Sequence, residues 1–369
     1  EDGRGPTGRR ADGWLTFSGS MLRALRWVLG SLVLATHAAW ASARWLRASS
    51  TLTTTYAVVV GALLASLWVP LLLVELFDWL LGLSMAVHDA HADVENTRPG
   101  PRVGTFNLQL CVGTDRTTNV PRVARALKAM RLDVVALQEV KQGQLADLAR
   151  AAGFAHAEFC CTGGCRERGD ERGVAVLSRA PIVERRVVMF ERWWGREQRA
   201  LLLARVDASK LEGGEPFLWV GSAHLQNDVS GLEPLSQLKQ VGWAVPWDLP
   251  CVVGLDGNMM GWKLLRAAAS NGLTDHCGLS HGATFSSSWP LYRLDGLLTR
   301  RGSGVLVAVS EQVARSAAWD SATAAFVSDH LPVCGTVHFG HRATWRPEQV
   351  SAGKSGGLPL LAACGEANA

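Results

Sequence analysis

Tyrosine is almost missing from this chain, with two residues against fifteen tryptophans. No long run of Lys or Arg is present, and the formal charge is only +4 on 37 basic and 33 acidic side chains. That balance permits a polyanionic partner without requiring one, and it lowers the standing of a nucleic-acid-gripping protein. Cys160, Cys161 and Cys165 lie close together, but no second Cys or His pair stands at zinc-finger spacing. They read as small apolar residues beside a charged loop, with a local disulfide or a metal site as the alternatives. No internal repeat is visible. The 369 residues are enough for one large domain with a smaller attachment.

Charge itself is missing from one stretch. Residues 51–74, TLTTTYAVVVGALLASLWVPLLLV, carry none, and a helix of about 24 apolar residues crosses a bilayer roughly 30 Å thick. Pro70 would kink such a helix without forbidding it. The alternative, a buried core helix, seldom stays uncharged so long. A shorter candidate, Trp27–Ala43, lies between Arg26 and Arg44 and contains His37. It is read as a span, an interfacial helix or a signal-like segment. Basic residues flank it on both sides, so the positive-inside rule assigns no orientation. With two spans the remainder lies on the side of the N-terminus; with one it lies opposite. Several tryptophans cluster in the first eighty residues, where a membrane interface favours them. The chain begins at Glu1 without Met, so its natural start is expected upstream. The expected organisation is a polar segment over 1–20, a membrane-anchoring region over 21–95, a catalytic domain over 100–340 and a flexible tail over 341–369.

What is present, from about Arg102 to Phe339, is a series of short β-rich runs punctuated by turns. The runs are Val103–Leu108, Val134–Leu137, Val174–Leu177, Leu201–Val206, Phe217–Ser222, Cys251–Gly254, Gly296–Leu298, Val305–Val309 and Leu331–Val337. Helical periodicity covers Val120–Met130, Leu145–Ala152 and Leu235–Val245. Many strands with helices between them predict two packed mixed sheets flanked by helices, a four-layer α/β sandwich. Polar groups close or follow several of these runs: Gln138-Glu139, Asp256-Gly257-Asn258, Arg293-Leu294-Asp295 and Ser328-Asp329-His330. Carboxylates, amides and histidines gathered at strand tips are what a magnesium-dependent phosphoester hydrolase needs.

Thr105-Phe106-Asn107, Asp133 through Glu139, Gly173–Arg179, Ser222 through Leu225, Asp256-Gly257-Asn258, Arg293-Leu294-Asp295 and Ser328-Asp329-His330 occur in that order. This set resembles the endonuclease/exonuclease/phosphatase superfamily, the group of pancreatic-type deoxyribonucleases, sphingomyelinases and inositol-polyphosphate phosphatases. The resemblance covers about two thirds of the chain. It implies that Glu139 coordinates catalytic Mg²⁺, with Mn²⁺ able to substitute, and that Asn107 and Asp329 join the metal shell. It further implies that Asp256 and Asn258 orient the attacking water and contact the phosphate. His330 is the expected proton handler, oriented by Asp295, because a histidine acting near neutral pH needs a partner that fixes its tautomer. His224 is expected to donate to a phosphate oxygen or the leaving group, and its presence argues against an abasic-site endonuclease. The family pattern Gly-Asp-x-Asn appears here as Gly254-Leu255-Asp256-Gly257-Asn258, with one extra residue.

The expected activity is that of a membrane-anchored phosphoesterase acting on a lipid headgroup, its partners being a phosphoester substrate and the lipid bilayer. A tethered nuclease acting on nucleic acid and an inactive binding protein on the same fold are the rivals, and no obligate protein partner is inferred.

Overall fold

A computed structural model describes residues 98–163, 171–193, 195–228, 231–278 and 282–339. The candidate spans 27–43 and 51–74 and the tail 341–369 lie outside the described residues. Among those described, no helix is long and apolar enough to cross a membrane.

Two six-stranded mixed sheets form the body. In the first, the order is Val305–Ser310 (β11), Val333–Phe339 (β14), Arg98–Asn107 (β1), Val134–Lys141 (β2), Arg172–Ser178 (β4) and His156–Gly163 (β3). In the second it is Ile182–Met189 (β5), Ala200–Val206 (β6), Leu218–His224 (β7), Cys251–Asp256 (β8), Asp295–Arg300 (β10) and Leu273–Asp275 (β9). A small hairpin pairs Trp319–Asp320 (β12) with Ala325–Phe326 (β13). The helices are Val120–Ala129 (α1), Gln142–Ala152 (α2), Leu232–Ala244 (α3), Gly261–Ser270 (α4) and Glu311–Ala318 (α5).

Alternation along the strands sorts side chains into three apolar layers. Val103, Val134, Val176, Leu202, Val220, Val252 and Leu297 meet between the sheets. Phe106, Val135 and Leu137 point the other way, under Leu127 of α1 and Leu148 of α2. Leu201, Leu203, Val253 and Leu298 pack under Leu238 of α3 and Leu264 of α4. The result is the expected four-layer sandwich. Local signals agree with it: Asn119 caps α1 by accepting from Arg122 N at 3.0 Å, and α2 stops at Gly153, whose φ is +84°.

The structure adds elements that the sequence reading left out, chiefly β3, β5, α4 and α5. β3 and β5 are edge strands of their sheets. β5 reads Ile-Val-Glu-Arg-Arg-Val-Val-Met, and its charges blunt an edge that apolar content alone would not reveal. Of the clustered cysteines, Cys161 is disulfide-bonded and Cys160 is buried.

A buried polar cluster interrupts the apolar layer between the sheets near one end. Gln138 Nε2 donates to Thr105 Oγ1 at 3.1 Å and to Ser222 Oγ at 3.2 Å, and Ser222 Oγ donates to Leu137 O at 2.8 Å. These bonds tie β1 and β2 to β7 at a fixed height. Beside them lies Gly254 of β8, where an added Cβ would meet Thr105 Cβ at 2.6 Å and Ala136 Cβ at 2.8 Å. The two backbones approach too closely there for any larger residue.

Candidate active site

Immediately beyond that polar cluster, the strand tips deliver their functional side chains in register. His224 lies opposite Asp256 across β7 and β8, and Asp256 lies opposite Asp295 across β8 and β10. Asn107 lies opposite Gln138 across β1 and β2. Glu139 reaches the same place by a different device. The pairing of β2 with β4 shifts register between Leu137 and Val140, and Glu139 has φ of +50°. A bulge of this kind re-aims one side chain out of the sheet's alternation.

His330 comes from the turn after β13. Ser328 Oγ donates to Asn107 O at 2.7 Å and accepts from His330 N at 3.2 Å, hooking that turn onto the tip of β1. The His330 ring packs against Phe285 with centroids 5.0 Å apart.

The geometry divides around Asp256. On one side, His330 Nδ1 faces Asp295 Oδ2 at 2.9 Å and His330 Nε2 lies 3.7 Å from Asp256 Oδ2. Burial opposes charge on this ring, but Asp295 first and then Asp256 favour it, and its pKa is raised to about 10. Asp256 is buried, and burial together with the neighbouring Asp295 pushes its carboxyl up to about 6 against the pull of His330. Near neutral pH the ring is therefore protonated and the carboxyl mostly ionised, so the pair offers a proton donor beside a proton acceptor.

On the other side, Arg199 NH1 donates to His224 Nδ1 at 2.8 Å. A guanidinium only donates, so Nδ1 accepts and the neutral ring carries its hydrogen on Nε2. Burial and then Arg199 hold the His224 pKa well below its ordinary value. His224 Nε2 lies 2.9 Å from Asn258 Nδ2, which also donates to Leu225 O at 2.9 Å. That second bond fixes the amide's orientation. The two N–H groups therefore lie side by side, with Asp256 Oδ2 3.4 Å from His224 Nε2, and are donors of the kind that stabilise an anionic oxygen. Asn258 reaches this position through a left-handed backbone (φ +46°) and an Asx turn in which its N donates to Asp256 Oδ1 at 3.0 Å. The extra residue after Gly254 is absorbed within β8, since strand pairing continues through Asp256.

Asn107 joins the two sides. Its Oδ1 accepts from Gln109 N at 3.0 Å, so its Nδ2 is the atom facing Glu139 Oε1 at 3.1 Å and Asp256 Oδ2 at 2.9 Å. One amide thus clasps a carboxylate from each sheet.

Residues 104–223 match the sequence profile of the Endonuclease/Exonuclease/phosphatase family. The described domain is similar to that family over this stretch, about a third of the chain. A crystal structure of an endonuclease/exonuclease/phosphatase from Beutenbergia cavernae is similar at 26% identity and a TM-score of 0.54, covering 66% of this chain and 72% of that one. An endonuclease/exonuclease/phosphatase family protein from Bacteroides thetaiotaomicron is similar at 18% identity and a TM-score of 0.51, covering 68% of this chain and all (100%) of that one. The second likeness bears on the fold alone. No curated protein matches the chain.

Within this domain, His330, Asp295, Asp256, Asn258, His224, Asn107 and Glu139 are brought together. Glu139 keeps 36% of its side chain exposed, leaving it open to an arriving ion. Asp329 is half-buried beside Ser328, whose Oγ lies 3.4 Å away. Among the described residues, the acidic and histidine side chains whose ligand atoms lie within 4.8 Å of one another as a set are Asp256, Asp295 and His330. Asp295 Oδ1 is buried without a hydrogen-bond partner. Oxygen-rich donors with an unpartnered carboxylate oxygen fit a hard divalent cation such as Mg²⁺ or Mn²⁺.

Arg199 and Phe285 lie outside the motifs read from the sequence, whereas Gln138 and Ser328 lie within them without a role assigned there. Arg199 had a signal: it is a charge directly before an apolar run that pairs antiparallel with the His224 strand. Ser178, Arg179 and Arg172, at the two ends of β4, serve locally. Ser178 Oγ accepts from Ala180 N at 3.1 Å, Arg179 Nε donates to Leu132 O at 2.8 Å, and Arg172 NH2 meets Glu197 at 3.2 Å.

Proposed function

We propose that the chain is a membrane-anchored, divalent-metal-dependent phosphoester hydrolase acting on a phosphoester borne by a lipid. The observation that carries the hydrolase reading is the division around Asp256: a carboxylate-backed imidazole on one side and two converging N–H donors on the other. In this reading the phosphate's non-bridging oxygen accepts from both His224 Nε2 and Asn258 Nδ2. Asp256 takes a proton from water as its oxygen attacks phosphorus, and His330, steadied by Asp295, passes a proton to the departing ester oxygen. Glu139 would hold the ion, with Asp329 contributing to its shell and Asn107 positioning the Glu139 carboxylate. Bound Mg²⁺ supplies Lewis-acid neutralisation of the charge that develops on the phosphoryl oxygens.

The uncharged stretch 51–74 supports the anchor, and the mild net charge favours a lipid over nucleic acid. The test is a panel assay of the full chain in lipid nanodiscs with Mg²⁺ and a chelator control, on sphingomyelin, a phosphoinositide and plasmid DNA. Hydrolysis of a lipid, lost in Glu139→Gln, is the expected result. Cleavage of DNA alone would establish the nuclease reading, and no turnover of any phosphoester would leave a binding protein on an enzyme's fold.

A further inference from the structure

The outward face of α3 is made of residues poorly suited to water. Leu232, Leu235 and Trp243 are 57%, 39% and 54% exposed, and with Lys239 they recur at steps of three and four, which places them along one side of the helix. The polar Glu233 and Gln237 of the same helix are buried. Past the helix, Trp247 extends the stripe at 70% exposure, held in place by the Arg300 guanidinium 3.9 Å from its ring centroid. Arg300 is itself fixed by donating to Val245 O at 2.9 Å and to Gly242 O. Lys239 Nζ lies 4.8 Å from the Trp243 ring. At the other end, Trp193 N donates to Glu233 Oε1 at 3.2 Å, so a further exposed tryptophan adjoins the stripe.

We propose that this stripe lies on a bilayer surface and brings the mouth of the site to lipid-borne phosphoesters. The proposal rests on the hydrolase reading for its purpose but not for its geometry. Tryptophans paired with cations are the composition of a membrane interface, where the ring is amphipathic and the cation meets lipid phosphate. A subunit contact also draws on tryptophan and arginine, and what favours the bilayer here is the uncharged stretch 51–74 on the same chain. The stripe is about 20 Å long. It begins close after His224 in the chain, so docking there keeps the site near the lipid headgroups. The uncharged stretch 51–74 would place the domain at a membrane already, and residues 75–97 reach on the order of 75 Å when extended. That exceeds the roughly 30 Å of β1 between Arg98 and the site end, so the tether lets the domain turn its α3 side to the surface.

The test places a nitroxide amino acid at Ser236, on the stripe, by nonsense suppression in the full chain. The chain is reconstituted in nanodiscs of phosphatidylcholine and phosphatidylserine, and Ser209 serves as a label away from α3. Power saturation is read with oxygen, which partitions into lipid, and with a water-borne nickel chelate. The expected result is oxygen access with nickel exclusion at 236, and nickel access at 209. Nickel access at 236 would overturn the proposal. Exclusion of both probes would overturn it too, because the cover would then be protein, either the chain's own apolar segment or a second copy. The paired change Leu235→Glu and Trp243→Glu is expected to restore nickel access at 236. It should also lower turnover of a vesicle-borne substrate roughly tenfold, with turnover of a soluble aryl phosphoester unchanged. If the wild type turns over neither substrate, the hydrolase reading fails while the spin-label result still decides the docking.

Discussion

Two histidines, each 5% exposed, sit on opposite sides of one buried carboxylate, and their surroundings drive them in opposite directions. His330 has Asp295 at 2.9 Å and is held protonated to about pH 10. His224 has Arg199 at 2.8 Å and is held neutral well below its ordinary range. A third histidine calibrates the pair. His276 Nε2 lies 2.7 Å from Thr299 Oγ1, and burial, only partly offset by Asp275, lowers its pKa to about 4. Burial therefore suppresses charge on all three, and only the carboxylate-backed ring escapes. One residue type yields a proton carrier and a fixed donor because the neighbouring strand supplies an acid in one case and a guanidinium in the other.

The sharpest test of this contrast is the carboxylate between the two rings. Asp256→Asn should lower turnover by on the order of a thousandfold, since it removes the proton acceptor that both sides address. Steady-state kinetics at saturating Mg²⁺ would measure it, and near-normal activity would break the symmetry argument. His330→Ala comes next, at about a hundredfold or more, as expected for a proton-transfer group. Arg199→Gln should cost less, roughly tenfold, mainly by releasing His224 from its single tautomer. The decisive readout is NMR: the His224 ring should titrate closer to its ordinary range in the variant. A ring that stays untitratable would show that burial alone sets its state.

The smallest effects concern stability and carry opposite signs. His276 has a folded pKa depressed from 6.5 to about 4. It contributes stability that is present above about pH 6.5 and lost as pH falls toward 4, a loss of about 2 kcal/mol allowing for partial exposure. His330 has a raised folded pKa, so its contribution is complete below about 6.5 and disappears as pH rises through about 10. Thermal unfolding across this range should show His276→Gln flattening the acid limb and His330→Gln the alkaline one. The same limb moving in both variants would contradict the assignment.

Much of this site was legible in the sequence because strand tips announce themselves. An apolar run followed by Gln138-Glu139, or by Asp256 and Asn258, carries both the strand and the chemistry at its edge. His330 and Asp295 were legible as a pair for the same reason. What could not be read was position set by long-range packing. Arg199 looks like any charge before a strand until β6 is placed beside β7. Ser328 earns its place only when the turn it closes meets Asn107. The role of Asn107 also depends on a local bond, because Gln109 N takes its oxygen and leaves its amide hydrogens for Glu139 and Asp256. The edge strands β3 and β5 stayed hidden because charges that deter aggregation also mask the pattern of a strand.

Gly254 has a consequence for how this protein can move. Where most sandwiches keep a cushion of side chains between their layers, here bare backbone is pressed against Thr105 and Ala136 directly behind the reacting groups. The halves cannot approach more closely there, and sliding one past the other would drive backbone into two β-carbons.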